Sequence, residues 1–406
     1  MKRFASRAAL AGLLLFGLVA LFILRIAKEA FAPRFIPAKS RPTFGPYRLL
    51  WYQKLALSPF EGGKMWIMTS AGTNGYRFVL YDIDHRVVLG ELTHHAEPFF
   101  MNRDQSRVLC LQRVPGARSL KAEVLRFYTW MTRNKFSSSQ PPGDVERVWV
   151  EKFWVVSLNG ESATRIGELD QMEGAGSAFV SSPDFRYGYS YVLNEGTKDK
   201  GIFLCDLEQK KFWNAGLDGW PAGWWNATSI VIKDPKNNLI LYDVVSRKTS
   251  VLVSAGQITR FLNDAQISET DVSGANLFCV WNGHEDDFYL TDTREMSESA
   301  VSFLAKVEKP KAKLKLLLRE FKFEWSGHFD PTGTYYLFNG ESGQTSSGVF
   351  LRNMTNGTTT TLVEPDGSRD FSIPRFYRET VIYMRNNELW QVDVNGSKQS
   401  RLFPPP

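Results

Sequence analysis

The sequence predicts an all-β fold, a seven-bladed β-propeller, preceded by one N-terminal transmembrane helix. Three observations predict it. Two strand-rich half-units alternate along the chain, seven times each. Aromatic residues make up 14% of the chain, with 12 Trp, and such rings suit the narrow space between neighbouring sheets. An uncharged apolar run, Ala8 to Leu24, precedes the repeats behind a basic leader.

Residues 325–363 show the repeat best. Trp325-Ser326-Gly327-His328-Phe329 is a short strand-like run, and Asp330-Pro331-Thr332-Gly333 is a turn. Thr334 to Phe338 reads as a second strand, rich in β-branched and aromatic residues. Val349 to Met354 is a third strand, and Thr358 to Val363 a fourth. Asn356-Gly357 between them is a hairpin signal of the type I′ kind, in which both central residues take positive φ. Four short strands in about forty residues make one propeller blade.

The first half-unit, strand–turn–strand, recurs at Leu57–Ile67, Phe99–Leu111, Phe179–Val192, Trp224–Ile232, Phe261–Trp281 and Phe376–Met384. The second half, with an Asp or Asn, a polar turn and an aliphatic strand, recurs at Phe78–Leu92, Trp149–Leu169, Ile202–Gly216, Leu239–Val253, Phe288–Leu304 and Leu389–Phe403. Phe261–Trp281 is the poorest copy, which leaves six or eight blades as alternatives. The pattern resembles the TolB-like propeller repeat, a Ser-Pro-Asp-Gly-Lys turn followed by an apolar strand and then a strand ending in Asp. The resemblance covers roughly residues 50–403. Leu57–Ile67, Phe179–Val192 and Phe329–Phe338 keep the turn best, and no copy keeps it whole. It implies a fold, and it implies docking of protein partners in the cell envelope if function follows fold. Propellers host many unrelated functions.

The domain reading follows the chain. Residues 1–27 form a membrane anchor, 28–46 a Pro-rich basic spacer, and 47–403 the propeller. As a helix, Ala8 to Leu24 spans about 25 Å against a hydrocarbon core of about 30 Å. Snorkelling of Arg25 lets Ile26 and Ala27 extend the span. A signal peptide cleaved near Ala30-Phe31-Ala32 is the alternative, with a secreted propeller as its consequence. Lys2, Arg3 and Arg7 favour a cytoplasmic N-terminus and an extracytoplasmic propeller. Tyr47–Gln53 is expected to pair with the last blade and help close the ring. An insertion at 115–147 enlarges blade two. Its Leu120, Val124, Leu125, Tyr128 and Met131 fall at helical spacing. A helix packed over one face is the plain reading, and a partner- or membrane-touching helix the sharper one. Residues 306–323, with Lys306, Lys309, Lys311, Lys313 and Lys315, read as an exposed edge strand guarded by lysines.

Charge excludes one class. The net charge is +6, but residues 1–46 hold eight Lys/Arg and one acid, leaving 41 basic against 42 acidic residues in the rest. The globular part carries no basic excess of the sort that nucleic-acid binding requires. Cys110, Cys205 and Cys279 each sit in an apolar run and read as buried thiols.

No motif carries chemistry. Propellers of the prolyl oligopeptidase kind stand beside a hydrolase domain with a Gly-x-Ser-x-Gly elbow, and the chain has neither elbow nor room for that domain. The histidine neighbours His94 and His95 point opposite ways in an extended segment, and His284–Asp287 lacks the spacing of a calcium loop. No metal ligands, cofactor or catalytic residues are assigned. The ligand-stacking candidates are Trp220, placed in a loop between Gly219 and Pro221, and Trp224 and Trp225, of which at least one belongs to the core. The expected function is a non-catalytic protein-interaction module, anchored in the lipid bilayer through residues 8–27. The rival is a carbohydrate- or small-ligand-acting propeller, enzyme or lectin, with its site at the channel mouth and a glycan stacked on Trp220.

Overall fold

The computed structural model describes residues 32–38, 63–70, 76–102, 104–115, 148–172, 179–192, 201–267, 277–282, 287–292, 303–318, 327–330, 332–341, 347–365, 374–386 and 388–403. Among them lie seven four-stranded antiparallel sheets. Blade one holds β1 (Phe35–Pro37), β2 (Lys64–Ser70), β3 (Tyr76–Asp82) and β4 (Val87–Leu92), in the order β1-β4-β3-β2. The other six are meanders of consecutive strands. Blade two is β5 (Glu97–Met101), β6 (Arg107–Pro115), β7 (Val148–Ser157) and β8 (Ala163–Met172). Blade three is β9 (Val180–Ser181), β10 (Tyr187–Val192), β11 (Gly201–Asp206) and β12 (Lys211–Asn214). Blade four is β13 (Trp220–Asn226), β14 (Ser229–Lys233), β15 (Leu239–Asp243) and β16 (Lys248–Val253). Blade five is β17 (Leu277–Asn282), β18 (Asp287–Asp292), β19 (Leu304–Glu308) and β20 (Lys313–Leu318). Blade six is β21 (His328–Phe329), β22 (Tyr335–Glu341), β23 (Ser347–Asn353) and β24 (Thr359–Val363). Blade seven is β25 (Arg375–Tyr377), β26 (Thr380–Arg385), β27 (Glu388–Asp393) and β28 (Gln399–Phe403).

The middle strands read as continuous apolar runs because both of their faces are buried. In β6, Val108 and Cys110 face blade one, while Leu109 and Leu111 face blade three. In β7, Trp154 and Val156 alternate with Phe153 and Val155 in the same way. Each apolar cluster fills one seam between neighbouring blades, and every one of the seven seams is filled. The seam between blades seven and one closes the ring. There Tyr81 packs edge-on against Phe403 and donates its hydroxyl to the Leu402 carbonyl at 2.5 Å. Tyr377 donates to Asp84 at 2.7 Å, and Arg378 pairs with the same carboxylate at 2.9 Å.

The repeat's turn signature has a local cause. Asn102, Ser182 and Asp330 each accept, through a side-chain oxygen, the N–H of the residue five positions on: Arg107 at 2.7 Å, Tyr187 at 2.9 Å and Tyr335 at 2.6 Å. The residue third after each is left-handed: Gln105, Phe185 and Gly333. Strand-ending acids do similar work in the second half-unit. Asp206 accepts the N–H groups of Glu208 and Gln209, and Asp243 accepts that of Ser246.

Five expectations change. The strand–turn–strand half of blade five is β17–β18 and not Phe261–Trp281, because residues 255–264 form a helix. This helix, α1 (Ala255–Asp264), is capped by a reciprocal Ser254–Gln257 pair and buries Ile258 and Leu262. The Asn356-Gly357 hairpin exists, but only Gly357 is left-handed, at φ +73°. Its loop is closed by Gly357 N–H donating to Asn353 O and Asn353 N–H donating to Thr358 O, so it is longer than a two-residue I′ turn. The stretch read as a spacer contains β1, which pairs antiparallel with β4 along Phe35↔Leu92 to Pro37↔Gly90. Trp220 opens β13 and lies in no loop. Lys309 is no guard of an edge: its ammonium lies 4.8 Å above the Trp225 ring and bonds the Trp225 carbonyl. The edge reading holds for β20, where exposed Lys313 and Lys315 alternate with half-buried Leu314 and Leu316. The anchor 8–27, Tyr47–Gln53 and the insertion from 116 to 147 lie outside the described residues. Among the described residues no helix is long and apolar enough to cross a membrane.

Candidate functional site

Strand order divides the connections between two faces. In an antiparallel meander, the link from second to third strand and the link to the next blade leave from one end, and the other two links leave from the opposite end. At one face, the turn face, no connection exceeds five residues except that from β1 to β2 at 38–63. Every other connection of more than five residues leaves the opposite, connection face, including those at 116–147, 193–200, 254–276 and 293–303. Long connections on a rigid scaffold are where binding residues concentrate.

The three tryptophans divide between surface and core. Trp224 is fully buried between blades three and four. Its Nε1–H donates to Val180 O at 3.1 Å, and its ring lies against Tyr187 and Tyr189. Trp225 points the other way, into the seam with blade five, 5.6 Å from Phe288. Successive side chains of a strand point to opposite faces, so these neighbours enter different seams. Trp220 is 39% exposed at the connection face. Tyr191, at the end of β10, meets it edge-on at 4.8 Å between centroids. Gly219, at φ +132°, brings the chain in so closely that a Cβ would lie 2.5 Å from Lys233 O. Burial, and then the charge of Asp218, raises the Tyr191 hydroxyl above its ordinary value. The pair offers an aromatic wall with a phenol at its edge and a carboxylate close by, suited to an apolar ring or a sugar face.

A charged group lies on the same face at blade two. Arg113 of β6 donates from Nε to Glu151 Oε1 at 3.0 Å and pairs through Nη1 with Glu97 at 3.5 Å. The Glu151 side chain is fully buried, and its second oxygen, Oε2, has no hydrogen-bond partner among the described residues. Burial raises the Tyr76 hydroxyl, Arg113 lowers it and Glu97 raises it, so the phenol lies within range of both charges. His95 packs on Tyr76 at 5.1 Å and donates from Nδ1 to the Tyr76 carbonyl at 2.6 Å. Arg113 spreads its charge over two carboxylates, an arrangement that fixes strand ends.

The remaining candidates separate cleanly. His94 and His95 are exposed, and both take positive φ, so they lie in a turn rather than an extended segment. Cys110 and Cys205 are buried and free, and burial pushes both thiols far up. His284 lies outside the described residues. No group of three His, Cys, Asp or Glu that could hold a metal occurs among the described residues. Sequence reasoning missed Tyr191, Glu97, Arg113 and Glu151. The one available signal was a lone Glu in the apolar run Val148–Val156.

No protein-family model and no curated protein sequence matches the chain. Among solved structures, the oligogalacturonate lyase of Vibrio parahaemolyticus is similar, with 9% identity, a TM-score of 0.50, and coverage of 87% of this chain and 89% of that one. TolB from Acinetobacter baumannii shows 17% identity and a TM-score of 0.37, covering 83% of this chain and 78% of its own. The β-propeller domain of the Trilobed protease from Pyrococcus furiosus shows 14% identity and a TM-score of 0.48, covering 88% and 97%. At such identities likeness concerns the fold alone. The TolB-like resemblance stands in that sense: the chain is a seven-bladed propeller, and TolB is among its structural neighbours.

Proposed function

We propose that the chain is a membrane-anchored, extracytoplasmic propeller that binds protein partners of the cell envelope and catalyses no reaction. One observation carries this reading: apart from the link between β1 and β2, every connection longer than five residues leaves the same face. Length concentrated on one face gives adaptable contact area, while the short turns opposite hold the ring. The apolar run Ala8–Leu24 supplies the anchor. In the test, the detergent-solubilised full chain is immobilised and incubated with an envelope extract, beside Trp220→Asp on the connection face and Val245→Asp on the turn face. The parent chain and Val245→Asp should retain the same partners, and Trp220→Asp should lose them. Retention of nothing by the parent contradicts the proposal.

A second reading rests on the exposed Trp220 set against Tyr191. Aromatic walls of this kind bind sugars by stacking, and a glycan or small ligand would then take the site. A glycan panel that binds the parent chain and not Trp220→Ala establishes it; a blank panel removes it.

A further inference from the structure

We infer that the connection face, at blades one and two, lies against the lipid bilayer, so that the propeller's partner on that side is the membrane surface itself. The inference rests on reading residues 8–27 as the anchor. What it adds comes from where the chain enters the fold.

The spacer read from the sequence runs to residue 46, which would allow the propeller to turn freely beneath a long tether. β1 removes that freedom. Phe35 is buried and meets Trp66 edge-on at 6.0 Å. Gly90 on β4 leaves room for it: a Cβ there would lie 2.2 Å from the Phe35 ring. Ahead of the strand, Arg34 N–H donates to Thr93 Oγ1 at 2.8 Å, and Thr93 N–H donates to Arg34 O at 2.9 Å. Pro33 is buried, and Ala32 packs against the seam between blades one and two. The chain is therefore strapped to the propeller from Ala32 onward.

Only residues 28–31 separate the apolar run, extended to Ala27, from this strap. At ~3.6 Å per residue, Ala32 lies within about 18 Å of the membrane end. Direction then decides the face. β4 ends at the connection face, and β1 runs antiparallel to it, with Phe35 opposite Leu92. The strap thus enters from the connection face, at Thr93. The turn face lies a further strand away, about 20 Å for a six-residue strand. The connection 116–147 leaves β6 on that same side. Partners that reach this part of the face are themselves at the membrane surface.

The test reconstitutes the full chain into vesicles carrying an acceptor dye on the lipid headgroups. A donor dye is placed by Lys236→Cys or by Val245→Cys. These positions lie at opposite ends of β14 and β15, on the connection and turn faces of one blade, and both are exposed. Cys279 is replaced by Ala; Cys110 and Cys205 stay, because both are fully buried. Co-flotation with vesicles and energy transfer about twofold higher from position 236, given ~17 Å between the strand ends, is the expected result. Co-flotation with equal transfer, or with more from 245, overturns the orientation and leaves the anchor standing. A chain that does not co-float overturns the anchor reading and the orientation with it.

Discussion

At the turn face, a residue near the end of a strand holds the turn that follows it. Asp82 accepts the N–H of His85, Asp206 those of Glu208 and Gln209, Asp243 that of Ser246, and Asn353 those of Thr355 and Asn356. At the connection face, the residues that stand out meet through space. Tyr191 and Trp220 come from different blades, and Glu97, Arg113 and Glu151 come from three strands of blade two. Apart from the contacts of Asp84 with Tyr377 and Arg378 at the closing seam, the turn face is written within a few residues of sequence, and the other is assembled by the ring. Stability should therefore respond to the turn face and the seams, and recognition to the connection face.

The largest effect should come from the seams. Trp224→Ala should cost about 3–5 kcal/mol, the usual range for a buried aromatic, whereas exposed Trp220→Ala should stay within about 0.5 kcal/mol. Urea unfolding of both variants checks this, and equal losses would erase the distinction drawn between the two tryptophans.

Next comes the cap of blade six. Asp330 is buried and holds the N–H groups of Thr332 and Tyr335. Removing it takes a charged acceptor from both N–H groups, so Asp330→Ala should cost about 1–3 kcal/mol. Thermal melts read this directly, and Asp330→Asn, which still accepts, should recover part of the loss.

Smaller effects follow from pH. The backbone N–H of Ser246 is the largest cause holding the Asp243 carboxyl below its ordinary value. Burial pushes Asp82 up but is outweighed by hydrogen bonds from His85. A lowered folded value means the contribution is whole above pH ~4 and fades as pH falls through the folded value. The melting temperature should drop below pH ~4, and Asp243→Asn should flatten that drop. At the closing seam the sign reverses. Burial, followed by Asp84, raises Tyr377 to about 12. Burial also raises Tyr81 to about 12. The fold holds these phenols protonated, so their contribution is whole below pH ~10 and lost as pH rises towards 12. Tyr377→Phe should weaken the alkaline loss, as followed by tyrosinate absorbance during unfolding.

The same contrast explains what was legible in the sequence. Turn caps act within five residues, so Ser182-Pro183-Asp184 and Asp330-Pro331-Thr332-Gly333 mark their hairpins in plain order. Seven blades follow, because strands buried on both faces read as apolar runs. Blade five slipped by one strand where α1 carries Phe261 and Leu262 at apolar spacing that also suits a strand. β1 stayed hidden because three residues paired to a distant edge carry no periodic signal. The division of Trp220, Trp224 and Trp225 between surface and core depends on where β13 begins, which the sequence reading places at Trp224 or Trp225 and the structure places at Trp220. The Arg113 group needed the pairing of β6 with β7 across the 116–147 connection.

The most direct test places a photo-reactive side chain at Trp220 or Lys236 on the connection face, and at Val245 or Asn395 on the turn face, in the full chain within its native envelope. The account predicts discrete protein adducts from the first two positions and none from the second two. Adducts of equal yield from both faces, or from the turn face alone, would contradict the assignment of recognition to the connection face.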